Sequence, residues 1–125
     1  TAFAKYAIGI QALDDNGRVS FNPFITSGTK LPYHSKETEF FYDSKNMKEF
    51  PCLFIYGNPN NVKEWNLIKE ADLMQVAMGT SDVDLPIKIS MSLDDNGSLS
   101  VDVSCAESGQ KLTISTLDSK LVKYE

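Results

Sequence analysis

A strict alternation of apolar and polar residues, interrupted by a glycine turn, most restricts the fold of this chain. Every second residue of the stretch 87–93 is apolar, and these residues are Ile87, Ile89, Met91 and Leu93. The tetrad Asp94-Asp95-Asn96-Gly97 follows, and its Asn-Gly pair supplies the positive φ angles that a tight hairpin turn needs. Alternation then resumes at Leu99, Val101, Val103 and Cys105. This pattern predicts two half-buried antiparallel strands.

The same combination of strand and turn recurs elsewhere in the chain. A second copy of the tetrad occupies residues 14–17, between β-prone segments at 6–12 and 18–26. A third turn at residues 107–110 precedes another alternating segment at 112–116. Each repeat therefore predicts a further hairpin.

The middle of the chain has the same character with more aromatic residues. Segments 37–42 and 50–56 are aromatic and β-prone, and the turn at 57–61 combines Gly, Asn and Pro. Residues 62–78 keep helical spacing in places. We nevertheless prefer a strand over 65–73 there.

We therefore predict an all-β chain, one domain over residues 1–125, built as a two-layer antiparallel β-sandwich of seven to eight short strands. A length of 125 residues suits a single domain, and 42% hydrophobic with 23% charged residues excludes the disordered and fibrous classes. Pro23 and Pro51 lie inside strand patterns, so we expect them at an edge or at a strand start, because proline cannot donate to a ladder.

Charge and hydropathy argue against two classes of partner. The formal net charge is -5, and the 12 basic residues are scattered, so we expect no nucleic-acid partner. No apolar run approaches the roughly 20 residues that span a bilayer, so no membrane partner is expected. The chain starts without Met or a leader pattern, which suggests a piece of a longer protein.

Two cysteines, Cys52 and Cys105, are too few for a disulfide framework. Both lie in alternating apolar patterns, which favours buried free thiols and a reducing, cytoplasmic location. A bridge between two strands is the alternative, and titration of free thiols in the denatured chain would distinguish the two.

Signals of catalysis or metal binding are few. The single histidine, His34, follows Pro32-Tyr33 and is typical of a loop residue rather than a general base. The pairs Asp14/Asp15 and Asp94/Asp95 lie in predicted turns, where Asp hydrogen-bonds its own backbone. The closing Glu of a calcium loop is absent, and neither cysteine has a second ligand at zinc spacing. We expect no enzyme activity and no metal.

Taken in order, these segments resemble the peptide-binding β-sandwich of the DnaK-type heat-shock chaperones, the seventy-kilodalton class. Residues 87–101 with their Asp-Asp-Asn-Gly turn, followed by Ser108-Gly109, resemble the end of that domain. Residues 7–10 resemble its first strand, 24–32 its second and 54–58 its fourth. The resemblance implies a sandwich of about eight strands, in which two loop pairs at one end arch over an extended apolar peptide.

The resemblance also implies which residues hold the peptide. Those at pocket-lining positions are Ile8, Ile10, Phe40, Phe50 and Cys52. Leu13 and Asp43 fall near the two arch-forming positions. The ordinary alternative for the apolar members is sandwich core.

The partners implied by the resemblance are unfolded or extended polypeptide segments, the protein's own nucleotide-binding domain and co-chaperones. ATP would belong to that domain, which lies outside these residues, so no cofactor is expected in this chain. Weak self-association through an exposed edge strand is a further expectation.

The chain departs from the family pattern at several positions. The loop 11–20 is longer than the first arch, and Phe50 stands where a small β-branched residue usually forms the pocket floor. Gly28-Thr29-Lys30 replaces an expected Asn-Thr pair, and the acidic residue expected near Ala2 is missing. These departures predict an altered peptide preference or a vestigial groove.

Two rival functions remain open at this point. One is a structural sandwich that docks to another domain and has no peptide groove; it is distinguished by whether loops 11–20 and 43–48 converge around an open cleft. The other is a carbohydrate-binding or small hydrolytic β-domain, which requires aromatic residues and carboxylates exposed together on one face. The aromatic residues available for it are Tyr33, Tyr42, Tyr56 and Trp65.

Overall fold

The computed structural model describes residues 1–14, 16–43, 49–77 and 84–125. Strands account for 61% of the described residues and helices for 9%, which confirms the all-β prediction. The strands are β1 (Ala2–Ala4), β2 (Ala7–Leu13), β3 (Val19–Ile25), β4 (Tyr33–His34), β5 (Thr38–Asp43), β6 (Pro51–Gly57), β7 (Asn66–Asp72), β8 (Asp84–Leu93), β9 (Ser98–Cys105), β10 (Gln110–Leu117) and β11 (Val122–Tyr124). The helical segments are the 3-10 turns Val62–Glu64 and Ser119–Leu121 and the one-turn helix α1 (Met74–Ala77).

Two antiparallel sheets pack in a sandwich-like arrangement. The first sheet has the order β3-β2-β6-β7. The second has β10-β9-β8, and both β4 and β5 pair with β8. A sandwich results because apolar and polar side chains alternate along the strands, so that each sheet has an apolar face that packs against the other sheet. The largest fully buried side chains are Phe54, Ile8, Ile25, Leu73, Leu85, Ile87, Met91, Leu93, Leu99, Leu121, Val76 and Val101.

Both Asp-Asp-Asn-Gly tetrads lie between paired hairpin strands, as predicted. Asp15 of the first tetrad lies outside the described residues, and the turn of the second differs from the expected type. Gly17 and Gly97 have φ angles of 74° and 87°, whereas no described residue other than glycine has a positive φ. The Asp94 carboxylate accepts hydrogen bonds from the amides of Asn96 and Ser98, both at 2.9 Å. This carboxylate favours a turn in which only the glycine has a positive φ.

The strand preferred over a helix in the middle of the chain is confirmed as β7. Short helical turns flank it on both sides, which explains the partial helical spacing in the sequence. Asn61 starts the first turn by accepting the amide of Lys63 at 3.1 Å. Asp72 starts α1 by accepting the amide of Met74 at 3.0 Å.

The two prolines occupy the positions that their missing amide requires. Pro51 is the first residue of β6. Pro23 lies on β3, an edge strand of the first sheet, where the register against β2 shifts between Ile8 and Gly9. Both expectations are confirmed.

The described residues form eleven strands rather than the seven to eight expected, because the short strands β1, β4 and β11 were not predicted from the sequence. Strands β1 and β11 pair with each other, and β1 also exchanges backbone hydrogen bonds with the segment around Lys30. The end of the chain also covers the second tetrad: the amide of Asp118 donates to the Gly97 carbonyl at 2.9 Å, and the Tyr124 hydroxyl donates to the carbonyl of Asp95. Three-residue strands carry too short an alternation to be recognised in a sequence.

Candidate functional site

The predicted site lies at the end of the sandwich where β2 and β5 finish and β6 starts, which we call the β2–β5 end. Gln11 pairs with Leu53, so the last residues of β2 run beside the start of β6. Tyr42 near the end of β5 stacks on Phe50, which precedes β6, with ring centroids 4.2 Å apart. Strand ends from both sheets therefore meet at this end.

The Tyr42 and Phe50 rings stack on each other at the β2–β5 end and pack with the main core. Their planes are only 5° from parallel; Tyr42 is buried and Phe50 is half-buried. The Tyr42 hydroxyl donates to the carbonyl of Glu49 at 3.3 Å. Burial, followed by the negative charges of Asp72 and Asp43, raises the pKa of Tyr42, so this phenol stays protonated and donates near neutral pH.

Three of the predicted pocket residues lie deeper in the molecule. Ile8 and Ile10 on β2 and Cys52 on β6 are all buried in the main core. Burial raises the pKa of the Cys52 thiol to about 12, so the thiol is neutral and unreactive in the folded protein. Phe40 is half-buried and stacks on Phe24 across 6.1 Å between centroids. These side chains contribute to the core packing below the ring pair.

The predicted arch residues differ in exposure. Leu13 is 71% exposed at the end of β2, whereas Asp43 is half-buried at the end of β5. Leu13 pairs directly with Val19, which is 49% exposed, so both side chains project from the same face of the hairpin. Loops 11–20 and 43–48 therefore start from the same end. Whether they converge around a cleft depends partly on residues 15 and 44–48, which lie outside the described residues.

Sequence reasoning missed one exposed aromatic side chain at this end. Phe41 is 66% exposed on β5, between the inward-facing Phe40 and Tyr42. The sequence could have revealed this exposure, because successive side chains on a strand point to opposite faces of the sheet. If Phe40 and Tyr42 face the core, Phe41 between them must face outward. The β2–β5 end thus carries exposed apolar side chains from both sheets.

Other residues weighed from the sequence lie elsewhere. The four aromatic residues considered for carbohydrate binding are dispersed: Tyr42 is in the core, Tyr33 is on the second sheet, Tyr56 contacts Tyr6, and Trp65 packs on Phe21 of the first sheet. His34 Nδ1 is hydrogen-bonded to the Ser92 hydroxyl on the second sheet. Within the described ranges, no three His, Cys, Asp or Glu side chains are grouped to hold a metal ion.

The opposite end of the sandwich has a surface cavity of about 440 Å³. Its lining residues include Lys5, Tyr6 and Asn58, and none of the seven predicted site residues borders it. Of the helices in the described part of the chain, none has the length and apolar character that crossing a membrane requires.

No protein-family model matches the chain, and no curated protein matches its sequence.

Proposed function

We propose that this chain is a non-catalytic polypeptide-binding domain, of the kind found in DnaK-type chaperones, that holds a short extended apolar segment of an unfolded protein at the β2–β5 end. The observation that carries the proposal is that strand ends of both sheets bring apolar side chains to this end: Leu13 and Phe41 are exposed on the two outer faces, and half-buried Phe50 lies between the sheets. Exposed apolar side chains at one end offer contacts to an apolar segment.

Main-chain hydrogen bonds and one or two buried side chains supply the affinity. Each net hydrogen bond contributes about 1 kcal/mol, and each buried Leu-like side chain about 1.5 to 3 kcal/mol, before ordering costs. The sum corresponds to micromolar binding at best, near 8 kcal/mol. Because the net charge is -5, segments with Lys or Arg beside the apolar centre associate faster.

The stacked rings decide how deep a bound side chain reaches. Phe50 lies flat on Tyr42 and occupies the space that a buried peptide side chain would need. The intact ring pair therefore supports shallow binding with an altered peptide preference, and Phe50→Ala deepens the slot. ATP and any nucleotide-driven release would belong to a domain outside these residues. Two buried free cysteines support a reducing, cytoplasmic location.

The test is fluorescence anisotropy of a labelled heptapeptide with an apolar centre and basic flanks, at low and moderate salt. We expect micromolar binding, weakening of about five- to tenfold in Leu13→Ser, and tighter binding in Phe50→Ala. Leu117→Ser is the matched control, since Leu117 is 73% exposed at the opposite end of the second sheet. Lack of binding at hundreds of micromolar, or equal losses in both Leu variants, would remove the proposal.

The second candidate is a docking sandwich without a groove. The specific observation in its favour is the burial of Ile8, Ile10 and Cys52 as ordinary core beneath the Tyr42 and Phe50 rings. Under this alternative, Phe50→Ala destabilises the protein and gives no gain in heptapeptide affinity.

A further inference from the structure

The outward faces of the two sheets differ in chemistry. The outer face of the second sheet is polar, and the residues on β8, β9 and β10 that form it include Lys88, Ser92, Ser100, Asp102, Thr113 and Ser115. The outer face of the first sheet is mostly apolar, which we call the outer apolar face. An antiparallel sheet packed on one side ordinarily presents polar side chains on the other. The first sheet therefore departs from the usual pattern.

The centre of the outer apolar face is a small core of its own. Ala7, Phe21 and Ile55 are buried there, separately from the main core, and Leu53 and Trp65 pack against them. The Trp65 ring meets Phe21 edge-on, with centroids 5.6 Å apart, and its indole nitrogen donates to the Asn58 carbonyl at 2.8 Å. This contact fixes an aromatic platform on the outside of the sheet.

The platform leaves large apolar side chains in solvent on both sides. Leu67 on β7 pairs with Ile55, so it shares the outer face, and it is 57% exposed. Leu13 and Val19 project from the same face at the hairpin end of β2 and β3. Exposed apolar side chains thus run diagonally from the hairpin tip past the platform to β7.

The charges on this face have one sign. Glu70 pairs with Leu53 and Asp72 with Pro51, so both carboxylates lie on β7 beside the apolar residues. Both residues are exposed. Lys69, the other charged residue of β7, is also exposed but pairs with the inward-facing Phe54 at the register shift, and the remaining outer-face residues of the four strands are uncharged. A binding partner complementary to the face therefore combines apolar residues with Lys or Arg.

We propose that the outer apolar face is a docking site for an amphipathic helix of a partner protein, with its apolar stripe across Trp65 and Leu67 and its basic residues against Glu70 and Asp72. Four strands at about 4.8 Å spacing place β3 and β7 roughly 15 Å apart, and a helix with side chains is about 10 Å across. One helix therefore covers about two strand spacings, which is enough to contact Trp65 and Leu67 together. An anionic membrane and a second copy of a chain with net charge -5 both bring negative charge to the carboxylates, so neither complements this face as a basic helix does.

Trp65 is the only tryptophan of the chain, so its emission reports on this face directly. The probe is a tryptophan-free 18-residue peptide of Leu and Lys with all Leu on one helical face. The controls are a Leu/Glu peptide with the same Leu positions and a scrambled Leu/Lys peptide. We expect saturable change in Trp65 emission with the amphipathic Leu/Lys peptide only, and a Kd about tenfold higher in Leu67→Ser. Leu117→Ser on the second sheet leaves the Kd unchanged.

The proposal is separable from heptapeptide binding at the β2–β5 end, because Leu67→Ser leaves that binding intact whether it is strong or absent. Equal responses to the amphipathic and scrambled peptides, or equal losses in Leu67→Ser and Leu117→Ser, would overturn it. So would emission changes with phosphatidylserine vesicles but not with the peptide, or a Leu67-dependent dimer in sedimentation equilibrium.

Discussion

Identical tetrads in two different environments allow a controlled test of what stabilises the hairpins. Gly17 and Gly97 both have positive φ, but their surroundings differ. A Cβ at Gly97 would lie 2.5 Å from the Asp118 carbonyl oxygen and 2.9 Å from the Ser119 Cα, whereas no atom lies within 4 Å of that position at Gly17. Substituting alanine at each site separates backbone strain from steric conflict.

The expected costs follow from this geometry. The left-handed conformation costs an alanine about 1 to 2 kcal/mol at either site. At Gly97 the Cβ must also displace backbone, which adds about 1 to 3 kcal/mol, and the 2.9 Å hydrogen bond from the Asp118 amide contributes about 1 kcal/mol more if it is lost. We therefore expect about 3 to 6 kcal/mol for Gly97→Ala and about 1 to 2 kcal/mol for Gly17→Ala.

The assays are urea unfolding and thermal unfolding, each followed by Trp65 fluorescence and by far-ultraviolet circular dichroism. At about 4 °C per kcal/mol, thermal midpoints should differ by at least 8 °C between the two variants. The cost of Gly97→Ala is comparable to the total stability of a small domain, about 5 to 15 kcal/mol, so the variant can fail to fold. Tyr124→Phe is a milder probe of the contacts between the end of the chain and the second tetrad. It removes the hydroxyl donor to Asp95 and should cost about 1 kcal/mol. Equal costs for the two glycine variants would refute the reasoning.

Three further predictions concern the interior and the outer face. Burial raises the pKa of Cys52 to about 12, so the stability that the protonated thiol contributes is fully present below about pH 9 and is lost as pH rises toward 12. Cys52→Ala should therefore make the free energy of unfolding fall less steeply with pH between pH 9 and 11. Half-buried Phe50→Ala should cost about 2 to 3 kcal/mol in urea unfolding, less than buried Phe54→Ala at about 3 to 5, and the reverse order would contradict the packing. Phe21→Ala should cost at least 2 kcal/mol and shift Trp65 emission to the red, and an unchanged spectrum would contradict the platform.

The fold was predictable where alternation is long and a turn has its own chemistry. Strands β8 and β9 and the two glycine tetrads satisfy both conditions, because seven or more alternating residues specify which face is buried. The expected positive φ at Asn96 was wrong, since the Asp94 carboxylate selects a turn in which only glycine is left-handed.

The site was less predictable, because contacts between sheets leave no local signal. The stacking of Tyr42 on Phe50 joins residues across a loop, and the outer apolar face depends on Phe21 and Trp65 meeting from opposite edges of a sheet. A period of two assigns residues to faces but does not say which faces another layer covers.

The central claim is that a polypeptide binds at the β2–β5 end, and amide chemical-shift mapping with the heptapeptide tests it most directly. We predict saturable changes concentrated at Leu13, Phe41, Asp43 and Phe50, with Leu67 and Leu117 unaffected. Changes confined to other parts of the sandwich, or none at millimolar peptide, would contradict the claim.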